Sequence, residues 1–307
     1  MKYNLQNRLK RINYQKLFYR VLAVASVLLL ASAYLSYTRL YLTPERRFWM
    51  AINNSLSTPS VVKATETGGT GNKTTEATRF IYGAQAAQNK LNSVSFKTAT
   101  SESNVTTETI TTPKTQYVRY VNIFSTEKKE GGGAYNFESV IGRWAKQDVG
   151  NEASALDNQR LTYIQPLVTL VPFGNLTADA RNELLAYMKS NGAYNVDFTN
   201  VQYQMENGKK YATYPVKVMT KKYVTALQKF FTAAGFGDFP PLDASGYPEN
   251  ARVNATFRID MKSGTVAGIS FNGQTENYLN NGVANELKMP TATLSLDELQ
   301  SRLQSAQ

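Results

Sequence analysis

The pattern of apolar and polar positions changes period several times along the chain. From Val21 to Thr38 no residue is charged: VLAVASVLLLASAYLSYT, bounded by Arg20 and Arg39. From Pro44 to Leu56 the apolar residues Phe48, Trp49, Ile52 and Leu56 recur at spacings of one, three and four behind a proline. That spacing predicts an amphipathic helix, stopped by Ser57-Thr58-Pro59. Gly68-Gly69-Thr70-Gly71-Asn72 reads as a turn between two strand-like segments, and it lacks the Lys-Ser/Thr ending of a phosphate-binding loop. From Val94 to Trp144 the period drops to two. Val94, Phe96 and Thr98 alternate, and Tyr117, Arg119, Val121 and Ile123 share one phase against Val118, Tyr120, Asn122 and Phe124. Pro113-Lys114 and Glu130 to Gly133 supply turns, which gives an antiparallel meander ending at Trp144.

The middle of the chain returns to helical spacing. Leu156, Leu161, Ile164, Leu167 and Val168 predict a helix that Pro166 bends or splits. Thr177 is suited to cap a helix with Ala180, Leu184, Tyr187 and Met188 on one face, ended by Asn191-Gly192. A hairpin follows, Tyr194–Glu206 and Lys209–Thr220 about the turn Asn207-Gly208. Tyr223, Leu227, Phe230, Phe231 and Ala234 form the stripe of a further helix closed by Gly235. Val253, Ala255, Phe257 and Ile259 alternate, Lys262-Ser263-Gly264 turns, and Ala267, Ile269 and Phe271 alternate again. After a strand or loop at Asn277–Leu287, Ser295 and Glu298 form the capping box of a terminal helix. The fold class is α+β, with one large antiparallel sheet and helices grouped near its middle.

Charge gives the N-terminal run a direction. Lys2, Arg8, Lys10, Arg11, Lys16 and Arg20 precede it, without an acid. A helix of eighteen residues is about 27 Å long, close to the roughly 30 Å of a bilayer core, and the positive-inside rule holds the basic end in the cytoplasm. A cleaved signal peptide is the competing reading, since Ala31-Ser32-Ala33 has the small-x-small form of a cleavage site. Both readings place the main domain outside the cytoplasm. The division expected is a basic leader over 1–20, a transmembrane helix over 21–42, a juxtamembrane amphipathic helix over 43–59, a main domain over 60–290 and a C-terminal helix over 291–307. The net charge of +11 is then half explained by the leader; beyond it 28 bases face 23 acids, and no basic cluster interleaved with aromatics points to nucleic acid.

Composition removes whole classes of chemistry. The 307 residues contain no Cys and no His. Thiol nucleophiles, Ser-His pairs, zinc-finger sites, disulfides and a lipidated cysteine are therefore excluded. The carboxylates Glu102, Glu108, Glu138, Asp148, Asp197, Glu206 and Asp260 are scattered and unpaired in sequence, and no calcium-loop spacing occurs. The expectation is a non-catalytic protein without cofactor or metal.

The C-terminal pattern resembles a family. The hairpin Ala255–Asp260, Lys262-Ser263-Gly264, Val266–Ser270, followed by Tyr278-Leu-Asn-Asn-Gly282 and Glu286-Leu-Lys-Met-Pro290, is similar to the closing segment of the LolA/LppX–LprG-like lipoprotein carriers of the bacterial envelope. Gly142-Arg-Trp144-Ala-Lys146 resembles their short strand with an aromatic residue after Gly-x. The resemblance, over about residues 45–290, implies a curved antiparallel half-barrel whose concave face is covered by helices and holds a lipid or other apolar ligand. The residues expected to line such a concavity are Phe96, Val121, Ile123, Trp144, Leu167, Val168, Phe198, Leu227, Phe231, Phe257 and Ile269. The family departs from this chain in its anchor, because a transmembrane helix here takes the place of a lipidated cysteine. The alternative is an envelope interaction, scaffold or sensor domain with a closed core. Core residues and cavity lining have the same composition, so the sequence leaves both open. The bilayer itself is an expected partner in either case, and nucleic acid in neither.

Overall fold

A computed structural model describes residues 14–36, 42–67, 73–81, 91–99, 103–111, 115–148, 169–235, 242–279, 281–283 and 288–306. The chain divides into two compact units, Met1–Arg47 and Phe48–Gln307. In the first unit, α1 (Tyr14–Ser36) is a continuous helix on which Val21, Leu22, Val24 and Val27 to Leu30 are all exposed. Among the described residues no helix is long and apolar enough to cross a membrane. The expected span, Val21–Thr38, continues through residue 35, whose side chain is outside the described set, and through 37 and 38, which are outside it altogether.

α2 (Pro44–Leu56) begins at the end of the first unit, and from Phe48 onward it belongs to the second. The second unit is built on an open antiparallel sheet. Its strands are β1 (Ser60–Thr67), β2 (Lys73–Ile81), β3 (Leu91–Ala99), β4 (Ser103–Thr111), β5 (Thr115–Ser125), β6 (Ala145–Asp148), β7 (Tyr194–Val196), β8 (Gln202–Glu206), β9 (Lys209–Met219), β10 (Arg252–Asp260), β11 (Thr265–Phe271), β12 (Gln274–Leu279) and β13 (Leu294–Ser295). The order is β13-β6-β5-β4-β3-β2-β1-β12-β11-β10-β9-β7, with β8 also on β9. Among the described strands every pairing is antiparallel except β13 on β6. Among the described residues three helices complete the unit: α3 (Ala178–Ser190), α4 (Thr220–Ala233) and α5 (Leu296–Ala306).

Local chemistry sets these elements. Thr177 Oγ1 accepts from Ala180 N at 3.4 Å to start α3, and Gly192 at φ 63° ends it beyond Asn191. Asn207 and Gly208, at φ 50° and 75°, turn β8 into β9. Glu298 N donates to Ser295 Oγ at 3.1 Å in the first turn of α5, as the capping pattern predicts.

Three expectations are corrected. The strand expected over Tyr194–Glu206 is two strands, because Asp197 Oδ1 accepts from Thr199 N at 3.1 Å and Asn200 N at 3.2 Å and so forms a turn between them. The two-phase alternation expected through β5 is broken by a bulge: Tyr120 pairs Thr107 and Asn122 pairs Thr106, so Val121 has no partner. Ile123 therefore does not continue the face of Tyr117 and Arg119, and the unpaired Val121 is left exposed. The third concerns residues 169–176, where the C-terminal end of the predicted 156–171 helix is irregular chain. Gly174 N and Leu176 N donate there to Ser55 O and Leu56 O. The remainder of that predicted helix lies outside the described residues.

One face of the sheet carries two cores. Register joins Tyr194, Val218, Val216, Tyr214, Phe257, Ile269, Val266, Tyr278 and Val61 into a single face. On it α2, α3, α4 and residues 171–176 pack as a large core. Phe48 is its centre, fully buried, with ring centroids 5.3–6.1 Å from Trp49, Tyr194, Phe198, Tyr214 and Phe257. Far along the same face α5 packs a smaller core of Val140, Ala145 and Leu299 against Tyr120 and Ile123.

Candidate functional site

Between the two cores the helix-bearing face of the sheet changes character. Thr65 on β1, Val105, Thr107 and Thr109 on β4, and Val118 on β5 lie at positions of this face, and all are half-buried. Among the described residues, neither core includes a residue of β4. Strand spacing of about 4.8 Å makes the strip from β1 to β5 about 19 Å wide. Its described floor is made of methyl-bearing Val and Thr side chains, three of the five carrying a hydroxyl.

One bank of this strip is polar and buried. Glu276 on β12 pairs in the ladder with Thr65 of the floor on one side and with Ile269 of the large core on the other. It is only 9% exposed. Its Oε2 accepts from Tyr278 Oη at 2.6 Å, and its Oε1 lies 3.8 Å from Lys63 Nζ. The strand period of two brings Glu276 and Tyr278 to one face, and Lys63 stands directly across from Tyr278 in the register. A carboxylate in this position is tolerable because a cation and a hydroxyl stand beside it. Behind it the Tyr278 ring packs on Phe173 at 4.6 Å, Tyr223 Oη donates to Thr169 O at 2.7 Å, and Tyr194 Oη donates to Leu170 O at 2.7 Å. Burial pushes all three phenols well above their ordinary range, and the Glu276 charge adds to the effect on Tyr278.

The expected lining residues separate into four groups. Leu227, Phe231, Phe257 and Ile269 are brought together, but as interior members of the large core at 0–3% exposure, with Phe198 partly buried against them. They fill one another's space. Ile123 serves the smaller core. Val121 and Trp144 do not line the concavity: the bulge leaves Val121 44% exposed, and Trp144 lies on the opposite face, stacked 4.6 Å from the Arg119 guanidinium that Glu108 holds at 2.8 Å. Phe96 pairs with Glu76 and Thr107 in the ladder, but its side chain is outside the described residues, as are Leu167 and Val168.

Sequence reasoning missed Lys63, Glu276 and Tyr278. The signal was an acid in phase with an aromatic residue in Gln274–Leu279, but the partner strand is more than 200 residues away and nothing local names it. Elsewhere a concavity of about 450 Å³ lies between α3 and α4, lined by Ala180, Glu183, Leu184, Gln228, Lys229, Thr232 and Ala233. None of the expected lining residues borders it. Among the described residues no acidic cluster could hold a metal.

No protein-family profile matches the chain, and no curated protein sequence matches it. A solved structure, that of LprF from Mycobacterium bovis, aligns over 81% of this chain and 99% of its own at 11% identity with a TM-score of 0.37. That score is too low to transfer fold or function.

Proposed function

We propose that the chain is a membrane-tethered, non-catalytic extracytoplasmic domain that holds a lipid or other elongated apolar molecule on the helix-bearing face of its sheet, between the two cores. One observation carries this reading. The floor over β1, β4 and β5 is half-buried and methyl-rich, whereas the same face on either side is filled by packed side chains. Apolar surface of this kind gains about 25 cal/mol per Å² when covered, so a chain-like ligand of modest area binds without any specific polar contact. The tether is α1. Its uncharged sequence from Val21, its exposed apolar side chains and the basic residues before it support insertion with the N-terminus inside.

Native mass spectrometry of the full chain, released from detergent, tests the ligand reading. The expected spectrum carries a discrete adduct of lipid mass that organic extraction removes. A spectrum of bare protein, together with no uptake of an added acyl-chain ligand, sinks it and leaves the scaffold reading in its place. Protease added to intact cells tests the tether. Loss of residues 45–307 with retention of the leader is expected, and a mature protein beginning at Tyr34 contradicts it.

A further inference from the structure

We infer that the outer edge of β8 is a self-association site, at which a second copy of this chain pairs antiparallel about Gln204. The inference is independent of the ligand reading above. Among the described residues β8 pairs only with β9, and all five of its residues, Gln202 to Glu206, are exposed. Asn207 and Gly208, both at positive φ, close a two-residue hairpin loop, so the flanking Glu206 and Lys209 form a hydrogen-bonded pair. The antiparallel ladder alternates from there. Gln204 and Gln202 also bond inward, to Tyr211 and Thr213, while the backbone groups of Tyr203 and Met205 point away from β9. The other side of β9 agrees: Lys210, opposite Met205, is turned towards β10, and its carbonyl accepts from Met261 N at 2.9 Å. An edge of this kind, without proline, lysine or bulge, is a template for another strand.

The edge is complementary to itself. With Gln204 on the two-fold axis, Tyr203 lies across from the second copy's Met205, and Met205 across from its Tyr203. These are the residues whose backbone groups point outward, so each pair exchanges both of its hydrogen bonds. Tyr203 and Met205 are 49% and 67% exposed, and the pairing brings ring and thioether together on one face. On the other face Gln202 stands opposite the second copy's Glu206 and Gln204 opposite itself, so no like charges meet. The Glu206 carboxylate, bound by Arg258 Nη1 at 2.7 Å, keeps acceptor positions for that glutamine amide. The backbone would accept any extended segment, but a second copy also brings the side-chain match in the register that the hydrogen bonds impose. Five residues a side fall short of the roughly 1,200 Å² of a stable interface, so the pairing is reversible.

The chain has no cysteine, so single cysteines report the register without background. In such a pair the Cα atom of residue 204 lies about 4.5 Å from its counterpart, within the disulfide range of about 4.4–6.8 Å. Residues 202 and 206 stand about 14 Å from their own counterparts, being two residues from the axis at about 3.4 Å each. Purified full chains carrying Gln204→Cys, Gln202→Cys or Glu206→Cys are oxidised with copper–phenanthroline and resolved on a non-reducing gel. Gln204→Cys is expected to form a covalent dimer at least about tenfold faster than either of the others. A mixture of the Gln202→Cys and Glu206→Cys chains should also crosslink, because each places its thiol across from the other. Adding Met205→Pro to Gln204→Cys removes an outward N–H and no bond to β9. Crosslinking should then fall to the level of the other two positions, with the melting temperature unchanged; the three single-cysteine chains decide the question without it. Equal rates at 202, 204 and 206 are the mark of chance collision and overturn the inference. A Gln204→Cys chain that stays monomeric overturns it too, and leaves the edge to a different extended partner or to solvent.

Discussion

Replacing Gly268 with alanine tests the packing that positions Glu276. Gly268 lies at the β10–β11 bulge, paired with Arg258 and Asn277. A Cβ there would stand 2.9 Å from the Glu276 carbonyl oxygen and 3.3 Å from Asn277 Oδ1. The first contact is with backbone inside a hydrogen-bonded ladder, so relief requires β12 itself to move. The second falls on the atom that accepts from Arg258 Nη2 at 2.9 Å, a bond that reaches across the bare glycine. Overpacking of this kind costs about 1–3 kcal/mol, and the reduced entropy of the unfolded chain returns about 0.4–1 kcal/mol. The net loss is up to about 2.6 kcal/mol, which lowers the melting temperature of a unit this size by up to about 10 °C. Gly246→Ala is the control, because a Cβ at Gly246 meets nothing within 4 Å. Both variants are measured by calorimetry and urea unfolding of the full chain. If Gly268→Ala is as stable as Gly246→Ala, the close approach that organises this part of the sheet is refuted.

Three further outcomes follow from the same packing. Phe48→Ala, which empties the centre of five aromatic contacts, should cost about 3–5 kcal/mol in urea unfolding; a loss below about 1 kcal/mol contradicts the placement of α2 on the sheet. The Asp197 carboxyl, bonded by Thr199 and Asn200, is lowered to about 2. Its contribution to stability is therefore complete above the unfolded value of about 3.9 and is lost as pH falls through about 2; an NMR titration of its carboxyl carbon with a midpoint near 4 contradicts the turn. Because burial raises Tyr194, Tyr223 and Tyr278, stability should hold up to pH about 10 and fall above it as the unfolded chain ionises them. Ultraviolet titration should show at least three phenols that ionise only with unfolding, and titration of every tyrosine in the folded chain would contradict the buried cluster.

The sequence announced local structure far better than it announced the site. α2, α3, α4 and the β10–β11 hairpin stand where period, caps and turn residues put them, because each is decided by neighbours within a few positions. The break at Asp197 and the bulge at Val121 escaped notice because a single side-chain acceptor or one extra residue overrides alternation. The parallel β13–β6 pairing and the β1–β12 pairing are long-range and carry no local mark. The same reason hid the candidate site: Lys63 and Glu276 meet only once β1 and β12 are neighbours. Apolar residues were legible as apolar, but whether Phe257 lines a cavity or fills a core is a property of what α2 brings against it.

Photocrosslinking locates a bound acyl chain on the sheet. The full chain is incubated with a diazirine-bearing monoacylglycerol, irradiated, and the labelled residues are mapped by peptide mass spectrometry. Labels are expected on Thr65, Val105, Thr107, Thr109 and Val118, competed by unlabelled glyceride. Labels confined to α1 or to the cleft between α3 and α4, with the strip between the two cores unlabelled, would contradict it.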